Sequence, residues 1–210
     1  MRITKLGHCC LLIEVDGLTI LTDPGRYSTK QDDLKDIDMI LITHEHSDHL
    51  HIDSLKNVLA NNPKARVITN NAVKNILEKE KIGCEIVSHG MRIEVGKTMI
   101  EGFGAWHAEM FREAAKVENT GYFINDFFYP GDAFDVPQRI VRVLALPVAG
   151  PWMKISEAIE YGLEIKPEIF FAVHDGMLRE GSKSSTEHAK KFLGNKGIKF
   201  HDIDKEPLEY

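Results

Sequence analysis

The stretch Thr43-His44-Glu45-His46-Ser47-Asp48-His49-Leu50 follows without a break on the apolar run Met39-Ile40-Leu41-Ile42, and this junction constrains the chain more than any other feature. Asp38 to Thr43 lacks apolar–polar alternation, the pattern of a central strand covered on both faces. Three histidines and an aspartate then follow in the spacing H-x-H-x-D-H. Imidazole and carboxylate are the usual side-chain ligands of hard or borderline divalent cations, so the strand should deliver a metal-binding loop. In a helix, residues two apart diverge by about 200°, so His44 and His46 can share an ion only from extended or loop backbone. Asp48 and His49 are neighbours that point apart, which suits a second ion beside the first.

Two clustered ions need further ligands, and three candidates sit just past strand-like segments. His107 ends Gly102-Phe103-Gly104-Ala105-Trp106-His107, Asp132 ends Tyr129-Pro130-Gly131-Asp132, and His174 closes the apolar run Ile169 to Val173. Loops at strand ends converge while the sheet holds them rigid, and active-site residues of layered folds collect there.

The rest of the chain reads as strands bracketing helices. Met1 to Pro24 predicts a β-meander, with Asp16-Gly17 as a tight turn between Leu11–Val15 and Leu18–Thr22. Leu55, Val58 and Leu59, and again Val73, Ile76 and Leu77, recur at helical spacing. Glu85 to Ala105 returns to β character, and Tyr122 to Tyr129 predicts a hairpin turning at Asn125-Asp126. Ser184 with Glu187 predicts a capping box for a last helix over Ser185–Leu193, followed by an edge strand over Lys199–His201. A single domain over residues 1–210 is expected, since 210 residues with 43% hydrophobic content can build one large core. The formal net charge of −6 and the lack of a basic run argue against a nucleic-acid binder. No stretch reads as a signal peptide or membrane span, so a cytoplasmic location is expected. Cys9, Cys10 and Cys84 are an odd count without C-x-x-C spacing and read as free, mostly buried thiols.

In this order the motifs resemble the metallo-β-lactamase fold superfamily, in particular its small bacterial metal-dependent hydrolases related to ascorbate-6-phosphate lactonase. Lys5-Leu6-Gly7-His8, Leu21-Thr22-Asp23-Pro24, Thr43 to His49, Gly131-Asp132, Leu146 to Pro151 and Val173-His174 carry the resemblance. It implies an α+β fold, a four-layer αβ/βα sandwich of two mixed β-sheets flanked by helices. It also implies two divalent ions, zinc first, with manganese, iron or nickel fitting the same donors. His44, His46 and His107 would hold one ion, Asp48, His49 and His174 the other, with Asp132 bridging. The chain departs from relatives at His8-Cys9 and at Asp175, neither of which removes a ligand.

Other residues carry two readings each. Asp23 either starts a turn with Pro24 or orients a ligand histidine, as carboxylates commonly do; the second is expected. His8 is expected to touch the site or the substrate, with a structural histidine as the other reading. Pro151, Trp152 and Met153 either line a substrate pocket or cap a core. Glu109 to Val117 reads as a lid or as a short surface helix, and Glu45, Ser47, His51, His89, His188 and His201 as surface or helix-start residues. Two cations about 3.5–4 Å apart activate a bridging water, so the expected activity is hydrolysis of a small ester, lactone or phosphoester, with Asp48 carrying the proton. The expected partner is a small-molecule substrate, with no nucleic acid and no membrane, and a homo-oligomer by resemblance. The alternatives are an RNA-processing or other phosphodiester nuclease and an iron-dependent oxidoreductase of the same fold. Di-iron reductases of that fold carry a Glu where this chain has His46, and they add a flavin domain.

Overall fold

The computed structural model describes residues 1–179 and 182–210. Three antiparallel strands open the chain: β1 (Arg2–Gly7), β2 (Cys10–Val15) and β3 (Leu18–Thr22). Asp16 and Gly17 turn between β2 and β3 with φ of 50° and 82°, and Val15 pairs with Leu18. Positive φ at both central residues matches the strand twist, and Asp-Gly adopts it at little cost. The chain then crosses over into parallel strands β4 (Met39–Leu41), β5 (Arg66–Thr69) and β6 (Glu85–Ile86). Helices α1 (Ile52–Asn61) and α2 (Asn71–Lys79) make the β4–β5 and β5–β6 crossovers, and the Asn70 side chain caps α2 by accepting from Val73 N at 3.1 Å.

The second half repeats this plan. A meander of β7 (Arg92–Val95), β8 (Thr98–Phe103), β9 (Gly121–Ile124) and β10 (Phe127–Tyr129) passes into parallel strands β11 (Val143–Pro147), β12 (Ile169–Val173) and β13 (Lys199–Phe200). Asn125-Asp126 turns the β9–β10 hairpin as expected, with Asn125 at φ 53°. Helices α3 (Ile155–Ile165) and α4 (Ser184–Gly194) cross over, and β14 (Leu208–Glu209) returns to pair with β1. Two seven-stranded mixed sheets result, ordered β14-β1-β2-β3-β4-β5-β6 and β13-β12-β11-β10-β9-β8-β7.

Strand alternation divides the apolar residues among three cores. Met39 and Leu41 face Phe127, Tyr129, Phe171 and Val173 between the sheets. Ile40 and Ile42 turn the other way, onto Leu55 and Val58 of α1 and Val73 and Leu77 of α2. Phe128, Leu144 and Phe170 pack under Tyr161 of α3 and Leu193 of α4. The layers therefore run helix, sheet, sheet, helix, the expected sandwich. Strands buried on both faces explain why Asp38 to Thr43 shows no alternation.

One local expectation fails, and of one pair of readings the helical one is removed. The last helix begins at Ser184 itself, so Lys183 takes the N-cap place without a side-chain cap and the Ser184–Glu187 box does not form; a cap residue must lie outside the helix. Glu109 to Val117 contains no helix, being a turn-rich loop whose neck is closed by the isolated bridge between Trp106 and Glu118. Helix α3 and strands β5, β11 and β14 were not anticipated. No helix among the described residues is long and apolar enough to cross a membrane.

Phe171 is fully buried between the sheets and stacks on Phe127 with ring centroids 5.9 Å apart. Phe171→Ala is expected to lower the unfolding free energy in urea by about 3–5 kcal/mol while far-UV circular dichroism stays native. A loss under about 1 kcal/mol would contradict the inter-sheet packing.

Candidate metal centre

The histidine-rich loop leaves the C-terminal end of β4, and the segment after β3 clamps it from one side. Asp23 N donates to Leu41 O (2.9 Å), Arg26 N to Ser47 O (2.9 Å) and His51 N to Pro24 O (3.1 Å). Gly25 lies so close that a Cβ there would stand 1.7 Å from Asp48 O. Backbone contact, rather than an unusual φ, requires glycine. His107 follows β8, Asp132 follows β10, His174 follows β12 with φ 60°, and His8 sits in the β1–β2 turn with φ 48°. All these loops open at one end of the sandwich, where the two sheets meet.

The seven sequence-assigned ligands come together there. His44, His46, His107 and Asp132 form one group whose donor atoms lie within 4.8 Å of one another, and Asp48, His49 and His174 join His8 in a second such group. Asp132 spans the two, with Oδ2 at 3.3 Å from His107 Nε2 and 2.8 Å from His174 Nε2, and Oδ1 at 3.2 Å from His49 Nε2. His44 Nε2 and His46 Nδ1 are 3.1 Å apart. Donors sharing one tetrahedral ion at 2.0–2.1 Å stand about 3.3 Å apart, so the spacings suit shared ions.

Two further observations test whether these residues fit metal. His49 Nε2, His107 Nε2, Asp132 Oδ1 and both ring nitrogens of His174 are buried without a hydrogen-bond partner among the described residues. Buried polar atoms normally find a partner, and this cluster of orphans points to an ion. The outer ring nitrogens are also held so that bare nitrogens turn inward. The Thr43 hydroxyl donates to Asp23 Oδ2 (2.7 Å), so it can only accept from His44 Nδ1 (3.0 Å). His49 Nδ1 donates to Asp23 Oδ2 at 2.7 Å, and His107 Nδ1 to Ala108 O at 2.6 Å. In the neutral ring each contact leaves Nε2 with its lone pair, the tautomer a metal requires.

The electrostatics of the polypeptide by itself favour the neutral ring at His44 and His46 and the charged ring at His49. Burial, with help from neighbouring histidines, pushes His44 well below the ordinary imidazole range and lowers His46. Burial would also lower His49, but Asp132 and Asp23 outweigh it and raise it well above that range. Burial opposes ionisation of Asp132, yet His49 and His174 hold it well below the usual carboxylate range. At Asp48 the His8 hydrogen bond, His49 and His174 likewise overcome burial and lower the carboxyl.

Asp23 is fully buried and accepts from His49 Nδ1 (2.7 Å), Thr43 N (2.8 Å) and Tyr129 OH. Of Pro151, Trp152 and Met153, Trp152 is the one whose ring stands against the clustered histidines, at 5.6 Å from His107 and 5.7 Å from His174. Pro151 is exposed and Met153 packs on the outer core. His89 and His188 are exposed, His51 precedes α1, and Cys9 and Cys10 are buried. The sequence reading missed Thr43 and Tyr129 as partners of Asp23. It also missed Cys9, whose thiol lies with His49 and Asp132; burial, then Asp132 and Asp23, push that thiol up and keep it protonated.

Gly25→Ala should cost about 3 kcal/mol, the upper end for overpacking, and reduce metal uptake; unchanged thermal stability would show that the clamp is not needed. The chelator-treated protein should lose stability from about pH 7 to about pH 5. His8, His44 and His46 are depressed, so the unfolded chain binds more protons below 6.5, whereas raised His49 alone acts the other way. Urea titrations showing stability rising over that window would overturn these directions.

A sequence profile described as the beta-lactamase superfamily domain matches residues 2–174, from ahead of His8 through His174. Protein Rv0786c of Mycobacterium tuberculosis is 33% identical over 184 residues, covering 85% of each chain. A UPF0173 metal-dependent hydrolase of Carboxydothermus hydrogenoformans is 27% identical over 194 residues, covering 83% of this chain and 84% of its own. Igni18, a metallo hydrolase of Ignicoccus hospitalis, shares the fold with a TM-score of 0.77 at 21% identity, covering 100% of this chain and 98% of that one. CmlA, a diiron beta-hydroxylase of Streptomyces venezuelae, does so at 0.79 and 14%, over 100% of this chain and 54% of that one. At such identities the solved structures speak for fold alone, but the profile spans most of the sequence. This chain belongs to the beta-lactamase superfamily domain family.

Proposed function

We propose that this protein is a metal-dependent hydrolase that binds two divalent ions, zinc first, and cleaves a small ester, lactone or phosphoester. The observation that carries this reading is the set of unpartnered buried nitrogen and oxygen atoms around Asp132, supplied by His49, His107, His174 and Asp132 itself. His44, His46 and His107 would hold one ion and Asp48, His49 and His174 the other, with Asp132 reaching both. The names of relatives such as the Carboxydothermus hydrogenoformans protein support the same activity class. Two such ions would acidify a water and polarise the substrate oxygen.

The chain's own residues supply the rest. The side chain of Asp48 is 21% exposed whereas those of Asp132, His49 and His174 are at most 2% exposed, so Asp48 is the carboxylate of the centre that reaches solvent. Asp48 takes the proton from the attacking water and delivers it to the leaving oxygen. Trp152 closes the side between His107 and His174 and limits water there. The substrate is a small molecule, since a chain of net charge −6 without a basic run offers little to a polyanion.

Elemental mass spectrometry on protein purified without chelator or histidine tag should find about two equivalents of zinc or manganese per chain. His46→Ala and Asp132→Asn should lose metal and hydrolysis of activated esters, lactones and phosphodiesters while keeping the fold, and His188→Ala should change neither. Full activity in Asp132→Asn would sink the assignment. A single iron would move the reading to oxidative chemistry, the class named for CmlA on this fold.

A further inference from the structure

His44, His49 and His107 each direct Nδ1 at an oxygen, so that in the neutral ring the inward Nε2 is the bare nitrogen. His8 does the reverse. Its Nδ1 accepts the Gly176 backbone N–H at 3.0 Å, and its Nε2 stands 3.3 Å from Asp48 Oδ2. A ring nitrogen that accepts a hydrogen bond carries no proton, so the proton of this ring is on Nε2 and points at the carboxylate.

The arrangement is built from both ends. Gly176 approaches so closely that a Cβ there would lie 2.9 Å from His8 Cβ and 3.2 Å from Nδ1. The His174-Asp175-Gly176 segment that supplies this N–H is tied to β1 by Lys5, whose Nζ meets Asp175 Oδ1 and Oδ2 at 2.7 and 2.8 Å and Ala172 O at 3.1 Å. The Lys5 side chain is only 3% exposed. Tyr27 packs edge-on against the His8 ring at 5.2 Å and holds its plane.

We propose that His8 is a positioning residue, a tautomer-locked Nε2–H donor to Asp48, and not a metal ligand. Its distance from Asp48, His49 and His174 would by itself make it a fourth ligand of that group. The hydrogen bond from Gly176 removes it from the coordination set, because the nitrogen facing the centre bears a proton. Asp48 Oδ2, which also stands 3.6 Å from His174 Nε2, is then held where the His8 N–H directs it. What Asp48 is positioned to do rests on the dinuclear reading above; the tautomer does not.

The test is nitrogen-15 NMR of the histidine side chains, with His8 assigned by its absence in His8→Gln, together with zinc titration. Before and after zinc, His8 should show a protonated, pyrrole-type Nε2 and a bare, pyridine-type Nδ1. His8→Ala should still reach the wild-type number of bound zinc ions but bind the weaker one about 10- to 100-fold less tightly, the usual cost of losing a group that braces a ligand. His8→Gln, whose amide N–H reaches a similar place, should recover most of that affinity. Disappearance of the Nε2 proton on adding zinc, or a full equivalent of zinc lost in His8→Ala, would overturn the proposal. If the wild-type protein takes up no zinc, the dinuclear reading fails, while a bare Nδ1 in the metal-free spectrum still supports the locked tautomer and a protonated one refutes it.

Discussion

Asp23 lies fully buried at the end of β3, and its two carboxylate oxygens accept from Thr43 N, Thr43 Oγ1, His49 Nδ1 and Tyr129 OH. Those four donors come from the loop after β4 and from β10, so one carboxylate joins the site-forming ends of the two sheets. A buried carboxylate without partners would cost several kcal/mol. Its full complement of donors makes it tolerable, and the same donors fix where the histidine loop and the opposite sheet sit. The candidate metal centre inherits its geometry from this group, because His49 is aimed by Asp23 directly and His44 through Thr43.

The centre is thus a problem in proton placement as much as in distance. Rings within 4–6 Å of one another could collapse into a hydrogen-bonded cluster if their protons were free to rearrange. Oxygen acceptors on the outer nitrogens of His44, His49 and His107 prevent this by leaving the inner nitrogens as lone pairs. The price is a set of unsatisfied atoms on His49, His107, His174 and Asp132, consistent with burial forcing His44 and His46 toward the neutral form. Backbone strain accompanies the same function: Asp23, His8 and His174 all adopt positive φ in fully packed surroundings, at 37°, 48° and 60°. Non-glycine residues persist there only where neighbouring contacts hold them, and such residues concentrate at functional sites.

The two sheets follow one plan, a meander passing into parallel crossovers, which places the C-terminal ends of β4, β10 and β12 at the same end of the sandwich. Candidate ligands leave each of those ends, and the shared central core holds the sheets in register. Glycine at position 25 and the Lys5–Asp175 pair are local devices serving that arrangement, one by allowing backbone contact with the loop and the other by tying β1 to the segment after β12.

Much of this was legible in residue order alone. The H-x-H-x-D-H spacing after an apolar strand named the loop, and His107, Asp132 and His174 declared themselves by following strand-like runs, because chain order and side-chain chemistry are local properties. Asp-Gly at 16–17 and Asn-Asp at 125–126 announced their turns for the same reason. The cap of α4 was misjudged, and of the two readings of 109–117 the short helix does not form, since a capping pattern or a short apolar run does not say where neighbouring elements allow a helix to begin. Thr43 and Tyr129 as partners of Asp23, the thiol of Cys9 beneath the centre, and the proton on His8 Nε2 were decided only by the tertiary structure. Each depends on groups brought together across long sequence separations, Gly176 with His8 and Tyr129 with Asp23, and the direction of a hydrogen bond exists only once donor and acceptor have been placed in space.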